Sequence, residues 1–478
     1  MKGEAGRCQE WLPRKNRRCA AMALPHLSYC GNHKPADVET RIPCPIDPSH
    51  NILEKDAVVH ARKCPALLQV QRMENMPYYC KGTNAGSDDE DEVLHNGCKS
   101  VDCELSNEIT QETMMGACNL DSKSKRILFN SLSREELKQL IQKIELAYNL
   151  HCTDKFQLSM KHPSACLKWI SADIDRRIPY QRKHIVQQAS MLGNMESFGL
   201  LQRTKICDVS GLKESLDEES DPVFIEFGAG RGYLSHMLAD CYNIQNIMLI
   251  ERRSYKFKAD RTLREKAAIE LKRVRIDIED LYLKGMNALR DHHYIAFSKH
   301  LCGHATDLTL RCCRPDLASQ SICHLDGIAI ATCCHHICQW RPYVNKQFFK
   351  KLGFSKKEFH ILTWLTSGAV AGIKSNSDNS ANQSNLDLFQ TEVNDEHDTQ
   401  SFAKTENSTT DPEEQFHGVS LWLTSLVDRA ELGRKCKQLL DVGRLYWLQE
   451  SGMSAELITY VSADITPENT LLLAKPVK

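Results

Sequence analysis

The stretch FIEFGAGRGYLSHML, residues 224–238, decides the fold. A short apolar run ends in three glycines, Gly228, Gly230 and Gly232, and an acid, Glu226, lies two positions before the first of them. Glycines after a strand let the chain turn tightly, and they let a ligand lie against bare backbone near the positive N-terminus of the next helix. The segment YLSHMLADC supplies that helix. The stretch therefore predicts a cofactor site at a strand–turn–helix.

The spacing of the glycines bears on which cofactor binds. A dinucleotide site has the pattern G-x-G-x-x-G, with the last glycine at the contact between helix and strand. Here the third glycine comes one residue early, and Tyr233 follows it. The pattern acid-x-Gly-x-Gly-x-Gly resembles instead motif I of the class I S-adenosylmethionine (SAM) methyltransferases. A glycine triplet alone also suits a purely structural turn, so the choice depends on further residues.

Three more acids lie at the ends of two later strands. Glu251 ends the apolar run IMLIE, and Asp277 and Asp280 lie in VRIDIEDL. In SAM methyltransferases an acid after the second strand holds the ribose hydroxyls, and one after the third lies near the adenine. Open α/β sheets bind ligands at the carboxyl ends of their strands. Acids at three such ends favour SAM over NAD, and the predicted cofactor-binding residues are Glu226, Gly228, Gly230, Gly232, Glu251 and Asp277.

From residue 221 onward, apolar strands alternate with helices. The predicted strands are 223–227, 247–251, 274–278, 294–300, 327–333 and 471–475. This alternation is typical of an α/β domain with a mostly parallel sheet, so we predict a Rossmann-like α/β fold. Before it, the sequence from about 121 predicts a helix with a capping box at Ser133 and Glu136. Its apolar stripe is Leu137, Leu140, Ile141 and Ile144.

Composition divides the chain into five parts. Two short modules rich in cysteine and histidine, 1–38 and 39–81, precede an acidic linker, 82–120, that contains five consecutive acids. A helical segment, 121–215, then leads to the methyltransferase domain, 216–478. Within that domain, residues 374–416 are polar and acidic, which predicts a disordered insertion.

Whole-chain totals exclude several classes of protein. There are 61 Lys and Arg against 62 Asp and Glu, so any basic surface is local. The sequence has no apolar run of about 18 residues for a membrane span, and its N-terminus lacks the apolar core of a signal peptide. We therefore expect an intracellular protein with no membrane partner, without distinguishing nucleus from cytoplasm. There, the 21 cysteines are metal ligands or reduced thiols rather than disulfides.

Two sets of cysteines and histidines have the composition of structural zinc sites, which take four thiolate or imidazole ligands in a closed tetrahedron. Segments this short bury little core, and structural zinc contributes roughly 10–16 kcal/mol of apparent binding free energy. The second set has the spacing of CHHC fingers in RNA-associated proteins; the ten-residue gaps of the first also suit ordinary buried cysteines. The sets are Cys8, Cys19, Cys30 and His33, and Cys44, His50, His60 and Cys64.

A CCCH finger, a CHHC finger, EFGAGRGYLS, SKHLCGHATD and ATCCHH occur in this order. Together they resemble the eukaryotic family of tRNA 2'-O-ribose methyltransferases that modify the fourth nucleotide of the acceptor stem. The resemblance covers the chain apart from the acidic linker and residues 374–416. It implies SAM and zinc as cofactors and tRNA as the partner, with glycine, proline and histidine tRNAs as substrates and the fingers assisting tRNA binding.

The reaction needs a group that manages the proton of the ribose 2'-hydroxyl, a poor nucleophile. Lys299 and His300 end the fourth predicted strand, where methyltransferases hold their reacting group. Lys299 can polarise the 2'-oxygen if burial lowers its pKa, and histidine titrates near neutrality. His335 is the third catalytic candidate. Phosphate binding by the lysine and loop capping by a histidine are the alternatives.

The CCHH loop, residues 333–336, also has the composition of a third metal site, together with Cys302 and His304 upstream. Adjacent cysteines and adjacent histidines do not readily all turn toward one ion, so we prefer a loop that faces the substrate. A cysteine nucleophile of the kind that methylates a base carbon follows a proline. ATCCHH has no proline, which favours transfer to oxygen.

A basic stretch follows the second strand of the cofactor site. Residues 251–275 contain 10 basic residues against 4 acids, and Arg252, Arg253, Lys256 and Lys258 start beside the predicted cofactor. They suit contacts with RNA phosphates, although a solvated helix has the same pattern. Two other functions remain open at this point: a non-catalytic zinc-finger RNA-binding protein, and a methyltransferase whose acceptor is protein or DNA.

Overall fold

A computed structural model describes the chain at residues 6–12, 17–24, 28–30, 33, 41–46, 50–88, 119–173, 181–202, 221–253, 255, 258–266, 268–314, 323–371 and 426–477. The predicted insertion at 374–416 lies outside these residues, as does most of the predicted linker. The chain divides into two compact units, Met1–Met76 and Pro77–Lys478. None of the described helices combines the length and the apolar character needed to cross a membrane.

The division at Met76 comes earlier than the boundary we predicted at 81. The reason is a set of hydrogen bonds within the second unit. The amide of Cys80 donates to the carbonyl of Asp280 at 2.8 Å, and the side chain of Asn84 donates to the carbonyl of Ile278 at 2.7 Å. Residues at the start of the predicted linker therefore pack on the second unit.

The first unit contains two hairpin modules. Strand β1, Trp11–Leu12, pairs with β2, Arg17–Arg18, and β3, Arg41–Pro43, pairs with β4, Asn51–Leu53, both antiparallel. A 3₁₀ turn at Glu54–Asp56 and helices α1, Ala57–Ala61, and α2, Leu67–Glu74, complete the second module. Its buried core is Cys44, Ile52 and Cys64. Modules with so little buried apolar surface need crosslinks or a metal to fold.

An eight-stranded sheet organises the second unit. Five of its strands run parallel in the order β8, β7, β6, β9, β10, and β12 lies antiparallel between β10 and β11, with β5 at the far edge beside β11. The predicted Rossmann-like α/β fold is thereby confirmed. The strands are β5, Gln157–Leu158; β6, Val223–Phe227; β7, Asn246–Ile250; β8, Glu270–Val274; β9, His293–Cys302; β10, His324–Cys333; β11, Met453–Thr459; and β12, Thr470–Pro476.

The chain changes direction across the sheet beside β6. It runs from β6 to β7 and β8 on one side, and then continues with β9 on the other side of β6. At such a switch point the loops after two neighbouring strands leave toward opposite faces, which opens a crevice at the carboxyl edge. The segments that follow Phe227 and end β9 border this crevice.

The prediction for the third strand of the domain was wrong in its position. We expected residues 274–278, whereas β8 covers Glu270–Val274. Three of the five residues of this edge strand are charged, and its positions alternate between exposed and half-buried before the buried Val274, a pattern typical of edges and easily missed. The apolar residues that suggested a strand, Ile276 and Ile278, are buried beyond its end.

Helices cover both faces of the sheet. Helix α6, Arg182–Phe198, and α7, Tyr233–Tyr242, pack into the main core with sheet residues such as Phe297. The predicted helix from 121 is two helices, α3, Ser122–Asn130, and α4, Arg134–His151. The other described helices are α5, Leu167–Ile170; α8, Lys258–Arg264; α9, His304–Cys312; α10, Lys346–Lys351; α11, Lys356–Leu365; α12, Gly368–Ala371; and α13, Leu426–Glu450.

The break between α3 and α4 comes from a local start signal. The hydroxyl of Ser133 accepts a hydrogen bond from the Glu136 amide, and the Glu136 carboxylate accepts one from the Ser133 amide. This capping box, predicted from the sequence, satisfies two backbone donors and starts α4 afresh. In the predicted apolar stripe Leu137, Leu140 and Ile144 are buried, while Ile141 is half-buried.

Candidate active site and metal centres

The glycine turn joins β6 to α7. Gly228, Gly230 and Gly232 have φ angles of +60°, +50° and +74°, the left-handed region that glycine adopts without strain. A Cβ added to Gly228 would lie 3.2 Å from Leu301 Cδ1, so this glycine packs against the end of β9. A Cβ added to Gly230 would meet no atom within 4 Å. The backbone of Gly230 therefore borders open space.

Two buried carboxylates hold this turn. Glu251 Oε2 accepts a hydrogen bond from the Gly230 amide at 2.9 Å, so an acid lies at the turn itself. Glu226 Oε2 accepts hydrogen bonds from the amide of Ser235, at 3.1 Å, and from its hydroxyl. Burial raises the pKa of Glu226 to about 7, and the Ser235 hydrogen bonds oppose that rise. Glu226 thus fixes the first turn of α7, where a helix favours a hydrogen-bonding acid.

Asp277 lies three residues beyond the end of β8. Its Oδ1 accepts a hydrogen bond from the amide of Glu279 at 3.1 Å, and its Oδ2 lies 3.5 Å from Arg252 Nη1. The side chain is 40% exposed, so it is open to a ligand. Asp280, in contrast, accepts a hydrogen bond from the Gly82 amide at 2.7 Å. Asp280 therefore anchors the segment that begins the second unit.

These residues fit SAM. The open space beside Gly230 lets a ligand lie against bare backbone, and the Glu251 carboxylate is an acceptor suited to a pair of ribose hydroxyls. Asp277 adds an exposed acid beyond the end of β8, two strands from the glycine turn. The assignment of single contacts to these three residues stays a prediction.

Lys299 lies near the carboxyl end of β9, the strand beside β6. Its side chain is only 6% exposed, and its Nζ lies 3.2 Å from Nδ1 of His184 at the start of α6. Burial lowers the pKa of Lys299 to about 7, against the opposing effect of the Glu226 carboxylate. Burial and the charge of Lys299 lower the pKa of His184 to about 4. Near pH 7, His184 is therefore neutral and a large fraction of Lys299 is an uncharged amine that can accept a proton.

His300 is exposed and lies beside this pair. Its ring centroid is 6.1 Å from that of His184, with the two planes at 87°. The structure thus brings the predicted catalytic residues Lys299 and His300 close to another histidine, His184, which the sequence analysis did not single out. His184 had no distinguishing signal, since RKHI opens a helix in which basic residues are common.

His335 occupies a different environment. Its side chain has no exposed surface, and its Nε2 lies 2.9 Å from Asp441 Oδ1 in α13. Asp441 also accepts hydrogen bonds from Thr332 Oγ1 and from Arg444 Nη1, each at 2.9 Å. In the described part of the chain, no hydrogen bond or ring contact joins His335 to Lys299. Its side chain has no access to a substrate in this structure, and its contact with Asp441 helps to hold the loop, while its catalytic role stays a prediction.

The CCHH loop is also held from the other side. Lys125 of α3 is fully buried, and its Nζ donates to the carbonyl oxygens of His336 and Cys338 at 2.8 and 2.6 Å. We expected that the two adjacent cysteines and the two adjacent histidines do not all turn toward one ion, and neither histidine belongs to the cluster that forms here. The sulfurs of Cys302, Cys333 and Cys334 all lie within 4.8 Å of one another.

The first predicted zinc set assembles in the first unit. Its four ligand atoms lie within 4.8 Å of one another. His33 Nδ1 is 3.4 Å from the sulfurs of both Cys8 and Cys30, and the sulfurs of Cys19 and Cys30 are 4.0 Å apart. Ligands at about 2.0–2.3 Å from a tetrahedral zinc stand roughly 3–4 Å apart. The set therefore fits zinc.

The second set assembles in the same way. Its four ligand atoms also lie within 4.8 Å of one another. The sulfurs of Cys44 and Cys64 are 3.7 Å apart, and Nε2 of His50 is 3.0 Å from Nε2 of His60. Two ring nitrogens and two sulfurs, from the hairpin, helix α1 and the segment after that helix, form a closed tetrahedral set.

Two known protein-family descriptions match this chain, one in each of its two units. The family described as methyltransferase TRM13 matches residues 186–475, more than half of the chain. The chain belongs to the TRM13 methyltransferase family. The CCCH zinc finger of TRM13 proteins matches residues 6–34, which contain Cys8, Cys19, Cys30 and His33. The cofactors are accordingly SAM in the second unit and zinc in the first.

Curated TRM13 proteins are similar along the chain. The tRNA:m(4)X modification enzyme TRM13 of Oryza sativa subsp. japonica is 40% identical over 264 residues, which are 53% of this chain and 91% of the rice protein. The Mus musculus homolog is 29% identical over 518 residues, 98% of this chain and 94% of its own. The TRM13 of Saccharomyces cerevisiae is 25% identical over 537 residues, 98% and 95% respectively.

Proposed function

We propose that this protein transfers the methyl group of SAM to the 2'-oxygen of a ribose in the tRNA acceptor stem, at nucleotide 4. The observation that carries the proposal is the contact between the buried Lys299, on the strand beside the glycine turn, and the half-buried His184 of α6, in a chain of the TRM13 family. Relatives named tRNA:m(4)X modification enzymes support tRNA and its position 4.

When bound, SAM supplies an electrophilic sulfonium methyl. The residues of this chain hold the two reactants and move one proton. Glu251 and the bare Gly230 backbone orient the cofactor at the carboxyl edge of β6 and β7. The neutral amine of Lys299 accepts the proton of the ribose hydroxyl as the oxygen attacks. His184 Nδ1, 3.2 Å from Nζ, directs that amine toward the crevice.

The acceptor stem is an A-form duplex, which proteins recognise through its shape, its phosphates and the 2'-hydroxyls of the minor groove. Arg252 and Arg253 are exposed directly after Glu251, so they suit phosphate contacts beside the cofactor. The ion pair between Arg252 and Asp277 is exposed and 3.5 Å long, so it is weak. An RNA phosphate can therefore replace Asp277 as the partner of Arg252. The two zinc modules assist tRNA binding. Lys256 and the side chain of Lys258 lie outside the described residues.

We propose glycine, proline and histidine tRNAs as the substrates, on the strength of the sequence resemblance. Methylation of these three isoacceptors, purified and unmodified, tests that assignment against alanine tRNA as a control. Equal methylation of all four would contradict it while leaving the reaction itself unaffected.

Transfer of a tritiated methyl group from SAM to unmodified tRNA tests the reaction. We expect incorporation that ribonuclease destroys, with mass spectrometry placing one ribose methyl at nucleotide 4. The variant Lys299→Met lacks the amine that accepts the proton. It should bind SAM with wild-type affinity but give no methyl incorporation into tRNA.

Two outcomes would support the other functions. Methyl incorporation that resists ribonuclease would indicate a protein or DNA acceptor. No incorporation by zinc-loaded, correctly folded protein would indicate a non-catalytic RNA-binding protein.

A further inference from the structure

Three cysteines outside the zinc fingers converge at the end of two neighbouring strands. Cys302 ends β9 and Cys333 ends β10, where the two residues are paired in register, and Cys334 follows. Their sulfurs lie within 4.8 Å of one another. We propose that Cys302, Cys333 and Cys334 bind a zinc ion, a third metal site of this chain that is separate from the two fingers.

The backbone of Cys334 is what allows the third sulfur to join. Successive side chains of a strand point to opposite faces, so Cys333 and Cys334 should diverge. Cys334 instead has φ +49° and ψ +44°, a left-handed conformation that is strained for a residue with a side chain. This conformation places the sulfur of Cys334 close to the sulfurs of Cys333 and Cys302. Strain of this kind marks functional positions, and here it serves the convergence of the thiols.

A glycine lets the two strand ends approach. The amide of Gly303, directly after Cys302, donates to the carbonyl of Cys333 at 2.9 Å. A Cβ at Gly303 would lie 2.3 Å from Ile337 Cγ1 and 3.0 Å from the carbonyl oxygen of Cys334. Any other residue would therefore push the segment carrying Cys302 away from the segment carrying Cys333 and Cys334. The segments HLCGH and CCHH meet through this contact.

The spacing matches that of the zinc fingers in the same chain. The sulfurs of Cys302 and Cys333 are 3.6 Å apart, compared with 3.7 Å for Cys44 and Cys64 in the second finger. Thiolates at about 2.3 Å from a tetrahedral zinc are separated by roughly 3.8 Å. A disulfide needs its sulfurs at about 2.05 Å, so the 3.6 Å separation is that of two unbonded thiols.

The chemistry of the donors selects the metal. Thiolate ligands select zinc, Cu(I) or iron–sulfur clusters, whereas calcium and magnesium take oxygen ligands; zinc is the metal that the two fingers of this chain already use. Cys302 and Cys334 are half-buried, so the site is accessible from solvent. Among the described residues the cluster supplies three ligand atoms, which leaves the fourth position of zinc to water or to a bound molecule. Such an ion would tie the end of β9, three residues after Lys299, to the CCHH loop.

The metal content of the full-length protein, purified under reducing conditions, tests the proposal. Inductively coupled plasma mass spectrometry should find three zinc ions per chain, one for each cluster. Cys302→Ser and Cys334→Ser should each contain two. The matched control is Cys80→Ser, which changes a half-buried cysteine outside the three clusters and should keep all three. Two zinc ions in the wild type, or iron in place of the third, would overturn the proposal.

A second measurement uses the wild-type protein, so its result does not depend on whether a variant folds. Iodoacetamide labelling of the wild-type chain, read by mass spectrometry, should spare Cys302 and Cys334 in the zinc-loaded protein and label both after a chelator is added. Cys80 should be labelled in both conditions. Labelling of Cys302 regardless of chelator, or a disulfide between Cys302 and Cys333 in the freshly purified protein, would contradict a metal site.

Discussion

Lys299 owes its chemistry to where β9 places it. On an exposed strand the same amine would be protonated at pH 7, but burial beside His184 lowers its pKa to about 7. Sequence reasoning identified Lys299 and His300 by their position at a strand end. It could not identify His184, because the contact joins residues 115 positions apart and depends on how α6 crosses the sheet.

The lowered pKa of Lys299 gives the reaction a pH dependence. The amine is protonated below its pKa and neutral above it, so single-turnover methyl transfer should rise as the pH increases through about 7 and then level off. Lys299→Arg keeps the positive charge but cannot accept a proton, since guanidinium does not deprotonate in proteins. We expect it to lose about 10²–10⁴-fold in rate, the usual contribution of a general base. Full activity in Lys299→Arg would show that charge, not proton transfer, is what matters.

Gly230 allows an equally specific test at a single residue. Gly230→Asp places a side chain in the open space beside the turn and a second carboxylate next to Glu251. Because exclusion and like charge together cost several kcal/mol, calorimetry should show SAM affinity reduced by about 100-fold or more. Gly353→Asp is the matched control: it too has a positive φ, +76°, and no atom within 4 Å, and it should bind SAM normally. Unchanged SAM affinity in Gly230→Asp would show that the cofactor does not bind at this turn.

A buried network of charged side chains holds helix α13 against the CCHH loop. Arg444 donates to Asp441 at 2.9 Å and to Asp307 of α9 at 2.7 Å, and all three side chains are fully buried. This network holds His335 in place and explains why a histidine in a motif of this kind need not touch a substrate. The sequence did not predict it, because a long segment outside the described residues separates α13 from the loop that it supports.

Asp441→Asn should destabilise the second unit by about 3–5 kcal/mol, since it leaves Arg444 buried with a weakened partner. Burial alone would raise the pKa of Asp441, but the charges of His335 and Arg444 outweigh it and lower that pKa. Its stabilisation is therefore present above the unfolded value of about 3.9 and is lost as the pH falls. Urea unfolding at pH 7 measures the change. Glu431→Gln, at an exposed site of the same helix, should stay within about 0.5 kcal/mol. Equal stability of the two variants would contradict a structural role for the network.

At the scale of the whole molecule, two different principles stabilise the two units. The second unit buries a sheet between helices, so its fold could be predicted from alternating apolar segments. The first depends on its metal ligands, whose spacing also predicted it. The boundary between them was harder to predict, because residues 82–88 begin the predicted acidic linker but hydrogen-bond to the loop after β8.

His60→Ala should remove one zinc ion from the chain, because His60 Nε2 belongs to the second ligand set. We expect tRNA affinity to fall by more than SAM affinity, since the cofactor site lies in the other unit. His162→Ala, an exposed histidine outside every ligand set, serves as the control. Metal content equal to that of the wild type would exclude the second finger as a zinc site.

The short strand β5 has a consequence for shortened recombinant forms of the protein. Gln157 and Leu158 cover the outer side of β11, and Lys125 fastens the CCHH loop, yet both precede residue 186, where the family match begins. A fragment trimmed to residues 186–475 would expose the backbone of β11 as a bare edge, which invites aggregation, and would lack the lysine that holds the CCHH loop. A catalytic fragment intended for crystals should therefore begin at Pro77, where the second unit begins.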